Sequence, residues 1–213
     1  MRFQNTPPIF DYKALRLMLG IIAFAMPFLV TLVSQMQLAS ISASYYTEAR
    51  DYFVGLLFIV AALMLAYNGH TTKEALAGKG AAVSAIVVAL FPTASESCTS
   101  SITSTIHGVA AVVFFLILAY FCFGPFRENT KGKGGKKGVR AKLYFLCGSV
   151  MLACMLVGLI GKLALSCETM DTWNVTYWVE AVALGAFGVA WIVAGKIIPI
   201  LVDEHEALKL FRH

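Results

Sequence analysis

The chain has 213 residues, of which 59% are hydrophobic and only 14% are charged, and it carries a formal net charge of +5. This composition, with a mean hydropathy of +0.75, lies far outside that of ordinary soluble domains. It therefore excludes a soluble globular protein. The positive charge implies no nucleic-acid partner, because basic residues accumulate on the cytoplasmic side of membrane proteins.

Six hydrophobic segments are each long enough to cross a bilayer, whose core of about 30 Å requires about 20 apolar residues per helix. They cover residues 15–35, 51–67, 75–91, 102–124, 143–165 and 173–201. The third is the least apolar, since Gly78, Lys79 and Gly80 lie near one of its ends. The sequence predicts an all-α, polytopic integral membrane protein whose six-helix bundle forms one transmembrane domain over residues 1–213.

The distribution of Lys and Arg predicts the orientation of this bundle. Among the 17 basic residues, only Arg50 and Lys162 fall on one side of the predicted membrane. The other side carries all the rest, with the densest group in the connection 125–142. Because Lys and Arg concentrate on the cytoplasmic side, both termini are predicted to be cytoplasmic. The glycine-rich connection 125–142 is predicted to be a flexible cytoplasmic loop, and an alternative is that its basic residues are attracted to anionic lipid headgroups.

Ionisable side chains near the outer ends of the predicted helices are the first candidates for a site. His107 lies in the fourth segment, Lys162 near the end of the fifth, and Glu180 about two turns into the sixth. Such residues are costly in a membrane and usually face the bundle interior or a cavity. His107 and Glu180 are therefore predicted to handle a proton. A structural alternative is a buried ion pair between Lys162 and Glu180.

The first outer connection carries the second group of candidates. It contains Ser42, Tyr45 and Tyr46, and it ends in Arg50 and Asp51 at the start of the second segment. Asp51 is grouped with His107 and Glu180 as a catalytic candidate. Arg50, Asp51 and Lys162 are predicted to orient a polar or anionic group, and the two tyrosines are predicted to line the entrance. Ser42 is a further ligand-binding candidate.

Two of the five cysteines, Cys98 and Cys167, fall in outer connections. A disulfide between them would tie the third connection to the fifth, provided that the compartment is oxidising. The remaining three cysteines lie within hydrophobic segments and are predicted to be apolar packing residues.

Several short stretches carry a resemblance to a known family. They are Ser42-x-x-Tyr-Tyr-x-x-x-Arg-Asp-x-Phe-Val-Gly55, Tyr67-x-Gly69, Val88-Ala-Leu-Phe-Pro-Thr93, His107 with Phe114-Phe115, and Glu180 with Ala186-Phe-Gly188. Together they are similar to an uncharacterised bacterial family of six-span membrane proteins, whose layout resembles the DRAM, Frag and Sfk group. That resemblance implies a bacterial inner-membrane location and a connection to lipid and membrane homeostasis.

These features favour a membrane protein with a polar pocket in the outer leaflet that binds a lipid or a small polar ligand. One alternative is a lipid hydrolase or transferase in which His107 acts with a carboxylate, and its nucleophile remains open among several hydroxyls. Others are a proton-coupled transporter, a structural accessory subunit and a homo-oligomer.

No cofactor is expected. No metal site is expected either, because the outer side lacks the histidines for a His₃ zinc site. The candidate hydroxyls belong to Ser42, Ser44, Ser100, Ser101, Thr103 and Ser104.

Overall fold

A computed structural model describes residues 11–94 and 99–207 of the chain. The described residues contain no strand and form the α-helices α1 (Tyr12–Ser34), α2 (Arg50–Ala66), α3 (Thr72–Leu90), α4 (Ile102–Phe123), α5 (Pro125–Glu128), α6 (Gly135–Ala164), α7 (Cys167–Thr172) and α8 (Val175–Ala194). Short 3₁₀ helices occupy Ser42–Tyr46, Pro199–Leu201 and Glu204–Glu206. The fold is therefore all-helical over the described residues, and each predicted hydrophobic segment coincides with one long helix.

Within the described residues, four helical segments are long and apolar enough to cross a membrane. They are Tyr12–Ser34, Ile102–Glu128, Gly135–Ala164 and Val175–Ala194. The protein is therefore a membrane protein. Helix α2 has only 17 residues, and α3 begins with charged residues that lower its mean hydropathy.

Side chains next to the helix ends explain where several of the helices begin. Asp11 accepts a hydrogen bond from the backbone of Lys13 at the start of α1, and Thr71 caps α3 in the same way. Ser101 and Ser104 form a reciprocal capping box at the start of α4. Such caps satisfy backbone N–H groups that have no partner inside the helix. They assign Ser101 and Ser104 a structural role.

The six long helices pack in a closed ring. Around the ring, each of α1, α2, α3, α4, α6 and α8 contacts the next, and α8 returns to α1. We call the end where α1, α3 and α6 finish the Ser42 end, and the opposite end the Arg140 end. All described Lys and Arg residues except Arg50 and Lys162 lie toward the Arg140 end.

Helices α1 and α8 cross at glycines, which allow their backbones to approach closely. A Cβ atom on Gly188 would lie 2.7 Å from Phe24 Cβ, and one on Gly20 would lie 2.6 Å from the Ile192 nitrogen. These separations are shorter than van der Waals contact. Small residues are the usual means of close helix packing in membranes, and this crossing closes the ring.

The structure corrects two predictions about connections. Residues 125–142 are not a flexible loop, because they contain α5 and the first turns of α6, which begins at Gly135. The sixth predicted segment, 173–201, is also too long. Helix α8 ends at Ala194, since Lys196 adopts a left-handed backbone conformation with φ of 58°.

Candidate functional site

The segment between α1 and α2 folds back into the Ser42 end of the bundle. Gln35, with φ of 51°, reverses the chain after α1, and the buried side chains of Leu38 and Ile41 anchor the segment in the core. Ser42 and Ser44 are buried beside them in the 3₁₀ helix. Hydroxyl groups placed in an apolar interior need hydrogen-bond partners, and Ser42 obtains them from two other helices.

Ser42 connects His107 of α4 to Glu180 of α8. Its backbone N–H donates to Glu180 Oε2 at 3.0 Å, and its Oγ lies 3.3 Å from Glu180 Oε1. His107 Nε2 lies 3.0 Å from the same Oγ, and His107 Nδ1 lies 2.7 Å from the carbonyl oxygen of Phe91. The structure thus brings together three predicted site residues, and it adds the Phe91 carbonyl, which no side-chain pattern indicates.

The geometry fixes the number of protons in this network. A carbonyl oxygen only accepts, so His107 Nδ1 carries a hydrogen and donates to Phe91. The contacts of Ser42 Oγ with His107 Nε2 and Glu180 Oε1 need two protons, and the hydroxyl supplies one. The second proton belongs to His107 or to Glu180. Either assignment leaves the pair with zero net charge, which suits a buried position.

The network differs from a catalytic triad in the position of its carboxylate. In a triad, the carboxylate binds the imidazole nitrogen that faces away from the nucleophile. Here Phe91 occupies that nitrogen, and Glu180 binds the serine instead. The Ser42 N–H also donates to Glu180, so it is not available to an oxyanion. The arrangement can hold or exchange a proton, and it can anchor the segment that contains Ser42.

A cavity of about 550 Å³ lies beside the network at the Ser42 end. Its volume is within the range of small-molecule sites, about 300 to 1,000 Å³. Among the described residues, the charged side chains that line the cavity belong to Lys162 and Asp171. Neither of them forms an ion pair with another described residue. Hydroxyl groups dominate the remaining polar lining, which includes Ser40, Thr93, Thr99, Ser100, Ser104, Thr105 and Thr176.

His107 and Glu180 are not part of the described lining of this cavity. Ser42 and Glu180 instead border a separate apolar cavity of about 60 Å³, whose walls include Phe53, Leu57 and Phe114. The neighbours of Ser42, Ser40 and Ala43, line the larger cavity. The segment that contains Ser42 therefore forms a wall between the two spaces, and the network holds this wall in place.

The other predicted site residues lie nearer to the surface. The Arg50 guanidinium donates to the Tyr45 hydroxyl at 2.9 Å and lies 4.4 Å from the centre of its ring. Tyr46 donates to the carbonyl of Thr93 at 2.7 Å. Asp51 is exposed in the first turn of α2 and has no hydrogen bond to Ser42, His107 or Glu180. The structure therefore places Asp51 apart from the network.

The predicted ion pair between Lys162 and Glu180 is not formed. Lys162 is exposed and lines the large cavity, whereas the Glu180 carboxylate is engaged by Ser42. Cys98 lies outside the described residues, so its disulfide with Cys167 stays a prediction. Cys167 begins α7 at the edge of the large cavity. The described part of the chain holds no group of three His, Cys, Asp or Glu residues suited to a metal ion.

Comparisons with protein families, curated proteins and solved structures find no match to this chain.

Proposed function

We propose that this protein is a six-span membrane protein that binds a lipid or a small polar ligand with an anionic group in the large cavity at the Ser42 end. In this proposal, α2 and α3 also span the membrane, and their positions in the helix ring support that. The concentration of basic residues at the Arg140 end supports cytoplasmic termini. The resemblance to the bacterial six-span family agrees with an inner-membrane location.

The cavity of about 550 Å³ with Lys162 in its wall carries this proposal. An ammonium group that forms no ion pair with a described residue, together with many hydroxyls, suits a phosphate or carboxylate with hydrogen-bonding substituents. The location of Lys162 near the end of α6 would put the cavity at the depth of lipid headgroups. Asp171 on the same cavity would accept a hydrogen bond or balance a cationic part of the ligand.

In this proposal, the network of Ser42, His107 and Glu180 holds the binding wall. It connects the segment after α1 to α4 and α8, so it fixes the positions of Ser40 and Ala43 in the cavity. A change in its protonation would loosen one of the contacts of Ser42. Ligand binding would then depend on the proton shared by His107 and Glu180.

Filling the cavity provides the test. Gly108 lines the cavity, and a Cβ atom on this residue would meet no atom within 4 Å. Gly108→Leu therefore adds volume inside the cavity from a Cβ position that lies in open space. We expect native mass spectrometry with lipid analysis to detect a ligand that co-purifies with the wild type and is lost from Gly108→Leu. Lys162→Gln should weaken retention of the same compound.

Matched variants separate the cavity from general effects. Gly185 also has open space around its Cβ position but does not line the cavity, so Gly185→Leu should retain the ligand. Lys142→Gln removes a charge from the same helix as Lys162, at the opposite end. Equal retention by Gly108→Leu and Gly185→Leu, or no specific ligand in the wild type, would contradict the proposal.

A second candidate function, acyl or phosphoryl transfer, is supported by one distance. His107 Nε2 lies 3.0 Å from Ser42 Oγ, which is within reach for a general base and its nucleophile. Ser42 Oγ would form a bond to the acyl carbon or phosphorus of the substrate while His107 Nε2 takes the hydroxyl proton. His107 would then return this proton to the leaving alkoxide as the bond between that alkoxide and the carbon or phosphorus breaks. A fluorophosphonate probe that labels Ser42 in the wild type, but not in His107→Gln, would support this function, and unlabelled Ser42 in folded protein would oppose it.

A further inference from the structure

The segment after α8 folds back across the beginning of α6 at the Arg140 end. Lys136 Nζ donates to the carbonyl oxygens of Pro199 and Val202, both at 2.9 Å. The Arg140 guanidinium donates to the carbonyl oxygen of Leu201 at 2.6 Å. In these three contacts, the acceptors are backbone carbonyls of the segment.

Glu206 adds a cluster of charges to this attachment. Its carboxylate lies 2.7 Å from Arg140, 3.1 Å from Lys137 and 3.9 Å from Lys196. Although partial burial acts to raise the pKa of Glu206, the hydrogen bonds from Arg140 and Lys137 outweigh it and lower the pKa to about 2. The carboxylate is therefore ionised throughout the physiological pH range, and the basic residues around it bind a negative charge.

The positive charge around Glu206 exceeds what one carboxylate balances. The cluster borders a cavity of about 300 Å³. Among the described residues that line this cavity, the acidic one is Glu206. Arg140 is only 1% exposed, and its Nε has no hydrogen-bond partner among the described residues. Desolvation lowers the pKa of Lys196 despite the nearby carboxylate. The basic residues that line this cavity are Arg16, Lys133, Lys137, Arg140 and Lys196.

We infer that this cavity is a binding site for a phosphate-bearing anion and that Glu206 competes with the anion for Arg140, Lys137 and Lys196. A phosphate group offers more acceptor oxygens and more negative charge than a carboxylate does. Arginine matches its geometry with paired N–H donors, and lysine adds a mobile charge. The inference concerns the end of the bundle opposite to the proposed ligand cavity and does not depend on it.

The phosphate has two sources that share this chemistry. Basic residues beside membrane helices attract the anionic headgroups of the cytoplasmic leaflet, and the same residues bind a soluble phosphate compound. Arg16 connects the site to the bundle interior, because its guanidinium donates to the Tyr67 hydroxyl at 2.6 Å. An occupied site would therefore contact α1, α6 and the segment after α8 together.

Binding measurements on the full-length protein in a neutral detergent test the inference. The probes are inorganic phosphate and a short-chain phosphatidic acid, with thermal stabilisation as the readout, because a ligand of the native state raises the melting temperature. Lys137→Gln is expected to bind the probes about tenfold more weakly than the wild type does. Glu206→Gln is expected to bind about tenfold more tightly, since the competing carboxylate is removed.

The opposite directions of these two changes distinguish a binding site from a structural ion cluster. Lys142→Gln, on the same helix but outside the cavity, should bind like the wild type. Stabilisation by inorganic phosphate indicates a soluble ligand, and stabilisation by phosphatidic acid alone indicates a headgroup. If folded wild type and Glu206→Gln bind neither probe, or if Lys142→Gln weakens binding as much as Lys137→Gln, the inference is wrong.

Discussion

Replacement of Glu180 by Gln tests the proton count of the Ser42 network. In Glu180→Gln, the side-chain oxygen accepts from the Ser42 N–H, and the amide nitrogen donates to Ser42 Oγ. Ser42 then donates to a neutral His107, and His107 continues to donate to Phe91. These four contacts are satisfied in the variant, but the proton shared by His107 and Glu180 is gone.

The expected energies follow from the number of partners that each variant leaves. Glu180→Gln exchanges hydrogen bonds with a charged or acidic partner for neutral ones, which costs less than about 2 kcal/mol. Ser42→Ala deprives both His107 and Glu180 of a buried partner, at about 1 to 3 kcal/mol for each. We therefore expect Ser42→Ala to lower the free energy of unfolding by about 2 to 6 kcal/mol.

Two measurements check these expectations. Unfolding in mixed detergent micelles, followed by tryptophan fluorescence, compares the stability of Glu180→Gln with that of Ser42→Ala. Nitrogen-15 NMR of histidine-labelled protein reports the protonation of His107, with His107→Gln used to assign its signals. In Glu180→Gln, the imidazole should carry a proton on Nδ1 alone at neutral pH. Equal destabilisation by both variants, or a doubly protonated imidazole in Glu180→Gln, would refute the reasoning.

Two further predictions concern packing and acid stability. Gly188→Ala should lower the free energy of unfolding by about 1 to 3 kcal/mol, since its Cβ would lie 2.7 Å from Phe24 Cβ. Gly185→Ala, with open space at its Cβ position, should be neutral or gain up to about 1 kcal/mol in the same detergent unfolding assay. The pKa of Glu206 falls from 4.5 to about 2, so its stabilisation is complete above pH 4.5 and is lost as the pH falls toward 2. Melting temperatures measured across this range should fall less steeply in Glu206→Gln than in the wild type.

The sequence predicts the helices well because the membrane imposes a strong signal. Each predicted segment coincides with a long helix, and four helices are apolar enough to span the bilayer within the described residues. His107 and Glu180 were identifiable because ionisable groups stand out in apolar helices. Their convergence at Ser42 agrees with the prediction that polar groups gather at one end of the bundle.

The partners within the site were not predictable because they depend on tertiary structure. Several hydroxyls were equally good candidates, and Ser42 is distinguished only by the fold of the segment after α1. Ser101 and Ser104, which are closer to His107 in sequence, are engaged in the capping box of α4. No pattern of side chains in the sequence indicates that the Phe91 carbonyl accepts a hydrogen bond from His107. Backbone acceptors of this kind emerge only when the chain is folded.

The basic connection was mispredicted for a related reason. Glycines lower helix propensity, and the sequence 131–138 therefore indicated a loop. In the structure, Lys136, Lys137 and Arg140 contact the segment after α8, which supplies carbonyl oxygens and Glu206. Such long-range contacts override the local preference. The same contacts create the basic cavity at the Arg140 end, so the error in the prediction and the new site have one cause.

The core between the two ends bears on the transporter alternative. Phe114 borders the small cavity beside Ser42, and its ring centre lies 5.9 Å from that of Phe187. Phe187 packs on Trp191, and Trp191 packs on Phe126, which lines the basic cavity at the Arg140 end. These rings are almost completely buried, and protein interiors are packed as densely as organic crystals. A solute that passed along this line between the small cavity and the basic cavity would have to displace these rings, which counts against the transporter alternative.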